Sequence, residues 1–278
     1  KINPKLLISN EMRSPEGTAL GYIAKKNKIS SILISHGSHP IPKNLTSEYE
    51  LNDLAKGLLV SPFATETIVQ SPSSEKSAKM FMPRLERKLS QPIMWATSKP
   101  NISINVKKNY TILHAGTYKA LAARPWIYET SNEFLSGLHK LVSAINKLDN
   151  VKLIIRIREE GECSISSLKK LLPLTDKCEI KNFGSFSEDL KKSDLLISFS
   201  STTIEEAIKL RKPACLFGGD SRYRHHPGKF LSADNLKDRS AVYYLDNKNL
   251  TDSIKKIIEV HSQKPLTDEE LKGYVWPD

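Results

Sequence analysis

The chain is poor in the features that mark several protein classes. Only three of its 278 residues are cysteine, at positions 163, 178 and 215, and their spacing fits neither a disulfide framework nor a metal site. No apolar run is long enough to cross a bilayer, and no secretory signal opens the sequence. We therefore expect a reducing, cytoplasmic location. We also expect further chain upstream, because a strand-like segment follows Lys1 almost at once.

Composition and charge bound the remaining classes. A hydrophobic content of 39% and a charged content of 26% are typical of a globular protein, and the length suggests about two domains. The formal charge of +11 makes nucleic acid, an anionic membrane surface and a polyanionic substrate candidate partners. The basic residues lie in short scattered clusters, and no nucleic-acid-binding motif is present. We expect no specific nucleic-acid binding, whereas peripheral contact with the inner membrane face stays open.

Strand and helix patterns alternate along two parts of the chain, which predicts an α/β protein with parallel strands. In the first part, strands are predicted at Lys5–Ser9, Ser31–Ser35 and Gly57–Ser61, and helices at Thr18–Lys26 and Ala64–Gln70. In the second part, strands are predicted at Tyr110–His114, Lys152–Arg156, Cys178–Lys181, Leu195–Phe199, Ala214–Phe217 and Val242–Leu245. The helices predicted there are 128–148, Ser164–Leu172, Ser187–Lys191, Ile204–Leu210 and Leu250–His261.

Residues 71–109 interrupt this alternation, since they are rich in serine, proline, lysine and asparagine. They are predicted to connect two domains. The first domain would cover 1–70, the second 110–262, and a final helix would lie in 263–278. With only two or three strand–helix units, the first domain is expected to be incomplete.

A turn of four hydroxyl residues, Ser200–Thr203, lies where a predicted strand ends and a helix begins. Backbone N–H groups and the positive end of the helix dipole favour a phosphate at such a place. Glu205 and Glu206, one turn further on, could reach the group that the phosphate carries. The alternative is an ordinary helix cap, because serine and threonine are common capping residues.

His36 follows a predicted buried strand and precedes a glycine, so its imidazole could act as a general base. The alternative is a hydrogen bond within its own loop. The glycine-rich, basic loop 218–229 could hold an anion, or it could be a flexible loop without a ligand.

Further phosphate-binding candidates follow two other predicted strands. A glycine lets the backbone approach a ligand closely, and hydroxyl or cationic side chains contact phosphate. These candidates are His114, Gly116, Thr117 and Lys119 after one strand, and Arg156 and Arg158 at the end of the next. For the two arginines, an ion-pair network with Glu159 and Glu160 is the competing explanation.

The segments 193–198 and 200–207, followed by Lys212-Pro213, resemble the carboxyl-domain signature of GT-B-fold glycosyltransferases. They are particularly similar to bacterial surface and capsular polysaccharide enzymes and to CDP-glycerol glycerophosphotransferases. The resemblance implies two Rossmann-like domains facing a cleft, with the donor diphosphate at Ser200–Thr203 and the ribose at Glu206. The Ile34–Gly37 segment resembles the strand ending in His-Gly of these enzymes, which implies that His36 is the catalytic base.

The implied activity is transfer of a sugar from a nucleotide-activated donor to a hydroxyl of a polysaccharide or lipid-linked glycan. No cofactor besides the donor is implied, and no obligate metal, because no Asp-x-Asp motif is present. One departure is Arg156–Glu159, where relatives often have Arg-Pro-His-Pro. A sugar-nucleotide epimerase of the same fold and a non-catalytic module that binds anionic polymer or membrane remain the alternatives.

Overall fold

The computed structural model describes residues 4–40, 42–95, 108–116, 128–157, 164–219, 223–231, 239–262 and 264–277. The chain divides into two compact units. The first comprises Lys1–Thr97 together with Lys272–Asp278, and the second comprises Ser98–Leu271. None of the helices within the described ranges is long and apolar enough to cross a membrane.

The first unit contains a parallel sheet in the order β1-β2-β3-β4. Its strands are β1 (Leu6–Ser9), β2 (Ser30–Ile34), β3 (Glu66–Val69) and β4 (Arg87–Leu89). Its helices are α1 (Pro15–Lys26), α2 (Leu45–Ala55) and α3 (Pro72–Phe81). A polar side chain accepts a backbone N–H at the start of each helix, and the three capping residues are Ser14, Asn44 and Ser71.

Several predictions in this unit are wrong. The predicted helix Ala64–Gln70 is strand β3, and the predicted strand at Gly57–Ser61 is reduced to one isolated bridge between Lys56 and Val60. Helix α2 had no counterpart in the sequence patterns. Residues 71–109 include α3 and β4, and β4 pairs with β3, so residues 72–89 extend the sheet and do not connect two domains. Every second residue of β3 is buried, namely Thr67 and Val69, as is typical of a strand. In the sequence, however, a pattern of four residues is too short to distinguish a strand from a helix.

The second unit contains a parallel sheet of six strands within the described residues, in the order β10-β9-β8-β5-β6-β7. The strands are β5 (Tyr110–Ala115), β6 (Val151–Arg156), β7 (Cys178–Lys181), β8 (Leu195–Ser198), β9 (Ala214–Leu216) and β10 (Val242–Tyr244). The helices are α4 (Ser131–Asn146), α5 (Ile165–Leu171), α6 (Phe186–Lys192), α7 (Thr203–Lys209), α8 (Leu250–His261) and α9 (Asp268–Leu271). The strands and helices predicted between 110 and 261 are confirmed, with small shifts at their ends.

The core of this unit lies between the sheet and α4 with α8. Phe134, Leu138 and Leu141 from α4 join one hydrophobic cluster with Ile112 on β5 and Ile155 on β6. All five side chains are at most 3% exposed. Burial of this face therefore holds α4 against the central strands, and the carboxyl ends of those strands remain at one edge of the sheet.

Candidate functional site

The strand order of the second unit reverses between β5 and β8. Strands β6 and β7 follow β5 on one side, whereas β8, β9 and β10 follow on the other. The Oγ of Ser198 on β8 donates a hydrogen bond of 2.6 Å to the carbonyl of Ala115 on β5. In open parallel sheets, ligands bind in the crevice beyond the carboxyl ends at this switch point. The candidate site is therefore the edge formed by the ends of β5 and β8.

The hydroxyl turn Ser200–Thr203 lies at this edge, directly after β8. The Oγ of Ser201 accepts the N–H of Thr203 at 3.2 Å, as expected of a capping residue. Thr202, which immediately precedes α7, makes no side-chain cap hydrogen bond. The Oγ1 of Thr203 is buried and has no hydrogen-bond partner in the described part of the chain. The cap interpretation thus accounts for Ser201 and leaves the hydroxyls of Thr202 and Thr203 unexplained.

Ser200 belongs to a buried polar cluster with Tyr223 and His225. Its Oγ lies 3.0 Å from Nδ1 of His225 and 3.4 Å from the hydroxyl of Tyr223. The Tyr223 hydroxyl lies 3.3 Å from the same Nδ1. Tyr223 is 5% exposed and His225 is 7% exposed, and burial raises the pKa of Tyr223, which keeps its phenol protonated. The cluster ties the turn after β8 to the loop after β9.

His114 and Gly116 lie at the end of β5. Burial lowers the pKa of His114 to about 4, so its ring is neutral near pH 7. Within the described ranges its Nδ1 has no hydrogen-bond partner. A Cβ on Gly116 would lie 2.9 Å from Cε1 of His114, so this imidazole is itself a reason for glycine. Thr117 and Lys119 lie outside the described residues.

Arg156 lies at the end of β6 and contacts the connection between β7 and α6. Its guanidinium pairs with Asp189 at 3.1 Å, and both side chains are largely buried. It also donates to the carbonyl oxygens of Phe183 and Gly184. These contacts favour the ion-pair explanation for Arg156, with Asp189 as the partner. Arg158, Glu159 and Glu160 lie outside the described residues.

The remaining predicted site residues are accessible to different degrees. His36 belongs to the first unit and lies two residues after the end of β2. It is exposed, and its backbone N–H donates to the carbonyl of Leu58 at 2.8 Å. Its position across a cleft from the turn stays a prediction. On α7, Glu205 is fully buried, whereas Glu206 is partly exposed.

Sequence reasoning missed the contacts of the glycine pair after β9. The N–H of Gly219 donates to Oε1 of Glu129 at 3.0 Å. Both glycines have positive φ angles, 121° at Gly218 and 56° at Gly219. A Cβ on Gly218 would overlap with Glu129, and one on Gly219 would overlap with Phe199. The two glycines were a visible signal, but nothing in the sequence linked them to a carboxylate 90 positions away.

Comparison with known proteins finds similar structures but no similar sequences. No family model and no curated protein matches the sequence. The Staphylococcus aureus MnaA–UDP co-structure aligns with a TM-score of 0.58 and 14% identity, over 97% of this chain and 70% of that chain. UDP-GlcNAc 2-epimerase from Methanocaldococcus jannaschii aligns with a TM-score of 0.52 and 13% identity, over 98% and 74%. Spinosyn rhamnosyltransferase SpnG aligns with a TM-score of 0.53 and 16% identity, over 92% and 65%.

The two parallel-sheet units and these likenesses define the fold as the GT-B type. Solved proteins with this fold include glycosyltransferases and UDP-GlcNAc 2-epimerases. The predicted fold class is confirmed. At identities of 13% to 16% the likeness concerns the fold, and the chemistry has to be argued from the residues of this chain.

Proposed function

We propose that this protein binds a nucleoside-diphosphate sugar at the ends of β5 and β8 and transfers the sugar to an acceptor hydroxyl. The observation that carries the proposal is the reversal of strand order between β5 and β8, with the turn Ser200–Thr203 at that point. The hydroxyl of Thr202, which makes no cap bond, would donate to a phosphate oxygen. The UDP bound in the S. aureus structure of the same fold supports this class of ligand.

Glu206 would hold the ribose hydroxyls. It is the residue that matches the family signature, and it is partly exposed while the neighbouring Glu205 is fully buried. A carboxylate needs access to solvent or ligand to accept hydrogen bonds from a sugar, so exposure favours Glu206.

His36 would act as the general base. The acceptor oxygen would attack the anomeric carbon while the bond from that carbon to the diphosphate oxygen breaks, and the proton would pass to the imidazole. The N–H groups of the turn, with Thr117, Lys119 and Arg158, would stabilise the departing diphosphate. The acceptor we propose is a surface or capsular polysaccharide or a lipid-linked glycan, on the strength of the sequence resemblance.

Epimerisation of a sugar nucleotide is the second candidate. The specific observation that favours it is the likeness to the M. jannaschii 2-epimerase, which extends over 98% of this chain. Both reactions require a bound nucleotide sugar, but epimerisation needs no acceptor. Incubation with UDP-GlcNAc alone therefore separates them, since NMR would detect a new sugar nucleotide only for an epimerase.

Calorimetric titration with UDP, CDP, GDP and CMP tests the shared requirement. We expect one nucleoside diphosphate to bind. Glu206→Gln should weaken this affinity by about tenfold, because the glutamine oxygen still accepts a hydrogen bond but lacks the negative charge that strengthens it. Glu259→Gln, which changes an exposed glutamate on α8, is the matched control and should leave the affinity unchanged. His36→Ala should keep binding and abolish turnover. The absence of any nucleotide binding would contradict both enzymatic proposals.

A further inference from the structure

Two cavities on the second unit share Lys140 and Asn247. The first, of about 280 Å³, lies between the first half of α4 and the ends of β9 and β10. The second, of about 500 Å³, lies between the second half of α4 and the segment Asn247–Asp252. The two cavities are neighbours along α4, and together we call them the α4 groove.

One face of α4 forms a wall along the whole α4 groove. Its lining residues recur at intervals of three or four, which places them on the same side of a helix. They are Asn132, Glu133, Ser136, Gly137, His139, Lys140, Ser143 and Ala144, followed by the C-cap residue Lys147. From Glu133 to Lys147 this face extends about 21 Å, at 1.5 Å per residue. Most of the side chains that α4 buries in the core, such as Phe134, Leu138 and Leu141, lie on another face.

Gly137 keeps the floor of the first cavity open. A glycine within a helix is unfavourable, so packing often explains why one is present. Here packing does not, because a Cβ on Gly137 would meet nothing nearer than Cε1 of Phe217 at 4.0 Å. The glycine therefore provides space that the fold itself does not need.

The charges of the α4 groove are concentrated in its second cavity. Lys140, Lys147 and Lys248 line it with exposed side chains, against one carboxylate, Asp252. Among the residues that the structure describes, none of these three ammonium groups has an ion-pair or hydrogen-bond partner. In the first cavity, the carboxylate of Glu133 accepts the backbone N–H of Thr130 at 2.8 Å. The second cavity thus favours anions, while the first has little net charge.

The other polar lining groups are amides and hydroxyls. They suit a ligand that carries many hydroxyl groups, and they are Asn132, Ser136, Ser143, Asn247, Asn249 and Thr251. The lining contains no arginine, and its aromatic side chains are Phe217 in the first cavity and His139 in the second. A nucleic-acid strand is less well matched, because one ring in each cavity does not provide a row of surfaces on which successive bases could stack.

We propose that the α4 groove binds an acidic oligosaccharide. Its carboxylate or phosphate groups lie against Lys140, Lys147 and Lys248, and its sugar hydroxyls bond to the amide and hydroxyl side chains. The site does not depend on nucleotide binding at the ends of β5 and β8. It also gives part of the +11 charge a specific role.

Titration of the full chain with tetragalacturonate, and with maltotetraose as a neutral oligosaccharide of equal length, tests the proposal. We expect tetragalacturonate to bind and maltotetraose not to bind. The affinity for tetragalacturonate should fall by about tenfold in Lys140→Gln/Lys147→Gln, because two charge contacts are lost. Lys169→Gln/Lys170→Gln removes two exposed lysines of α5 and should change the affinity by less than about twofold. No binding of tetragalacturonate, equal binding of maltotetraose, or equal loss in the α5 control would each overturn the proposal. Tighter binding of oligothymidylate than of tetragalacturonate would overturn it in favour of nucleic acid.

Gly137→Gln provides a second test that does not depend on charge. The new side chain enters open space and glutamine favours helix, so the melting temperature should stay the same or rise. Tetragalacturonate binding should nevertheless fall by about tenfold, because the floor of the groove is filled. Unchanged affinity in this folded variant would contradict the proposal. UDP titration of the same variants reports on the nucleotide site separately, and we expect no change there.

Discussion

The Oγ of Ser200 lies 3.0 Å from Nδ1 of His225, and this contact joins the turn after β8 to the loop after β9. Ser200 also lies within hydrogen-bond distance of the Tyr223 hydroxyl. One of the four hydroxyls predicted to bind phosphate is thus used to hold two loops together. The four residues of the turn therefore have different roles, and these roles can be separated by mutation.

Ser200→Ala should affect stability, and Thr202→Ala should affect UDP binding. Loss of the Ser200 hydroxyl removes hydrogen bonds from a buried cluster and should lower the free energy of unfolding by about 1–2 kcal/mol. The Thr202 hydroxyl makes no cap bond, so its loss should change stability by less than about 0.5 kcal/mol while weakening UDP binding. Urea unfolding and calorimetry measure the two effects. Equal destabilisation by both variants would contradict this division of roles.

Gly219→Ala and Gly273→Ala form a matched pair, because both glycines have positive φ angles, 56° and 87°. At Gly273 nothing lies within 4 Å of an added Cβ, so alanine should cost only the backbone term, about 1 kcal/mol. At Gly219 the Cβ would overlap with Phe199, and we expect a loss of at least about 2–3 kcal/mol. Urea unfolding of the two variants measures the difference. Similar losses would show that Phe199 moves aside freely.

Arg156→Ala should destabilise the protein by about 1–3 kcal/mol, because Asp189 loses its partner in a largely buried pair. A double-mutant cycle with Asp189→Asn should give a coupling of about 1 kcal/mol. Arg156→Lys distinguishes this role from phosphate binding. It should also lower the stability, since a lysine cannot replace the guanidinium contacts with Asp189 and with the carbonyl oxygens of Phe183 and Gly184. If Arg156→Lys keeps its stability and loses UDP affinity, the ion-pair explanation is wrong.

Stability should fall as the pH drops below 6.5. Burial lowers the pKa of His114 to about 4 and those of His226 and His261 to about 3, from an ordinary value of 6.5. Below pH 6.5 the unfolded chain binds protons that the folded chain does not. As the pH falls below 6.5, each histidine therefore lowers the free energy of unfolding by up to about 1.4 kcal/mol per pH unit, and above that pH this penalty is absent.

Urea unfolding between pH 7.5 and 5 measures this dependence. This pH interval lies above the one in which Glu188 and Glu270 titrate. Burial would raise the pKa values of these two carboxyls, but their partners Lys191 and Arg239 lower them. His114→Gln should reduce the slope by about one third, since one of three groups is removed. A flat profile in the parent protein would contradict burial of these histidines in their neutral form.

The second unit was largely predictable from its sequence. Its strands β5 and β8 are largely apolar runs, and α4 and α8 have apolar residues at helical spacing. The bounds of β7 and α8 agree residue for residue with the prediction. Local patterns succeed here because the two helices are long and strongly periodic, and the predicted strands and helices alternate regularly.

The first unit was predictable only in part. Residues 66–69 form a strand because β2 and β4 pair with them on both sides, and such pairing is not visible in four residues. Likewise, the proline- and serine-rich residues after position 70 form α3, because Ser71 caps a helix that starts with Pro72. Proline was taken as a sign of a connection where it marks a helix start.

For the candidate site, the sequence by itself determined where the turn Ser200–Thr203 lies and that it connects a buried strand to a helix. The tertiary structure decided what each side chain does. Ser200 is held by residues more than 20 positions away, and Gly219 is held by Glu129, 90 positions away. The physical reason is that burial and local spacing follow from the order of residues, whereas a hydrogen-bond partner depends on which distant segments the fold brings within about 3 Å.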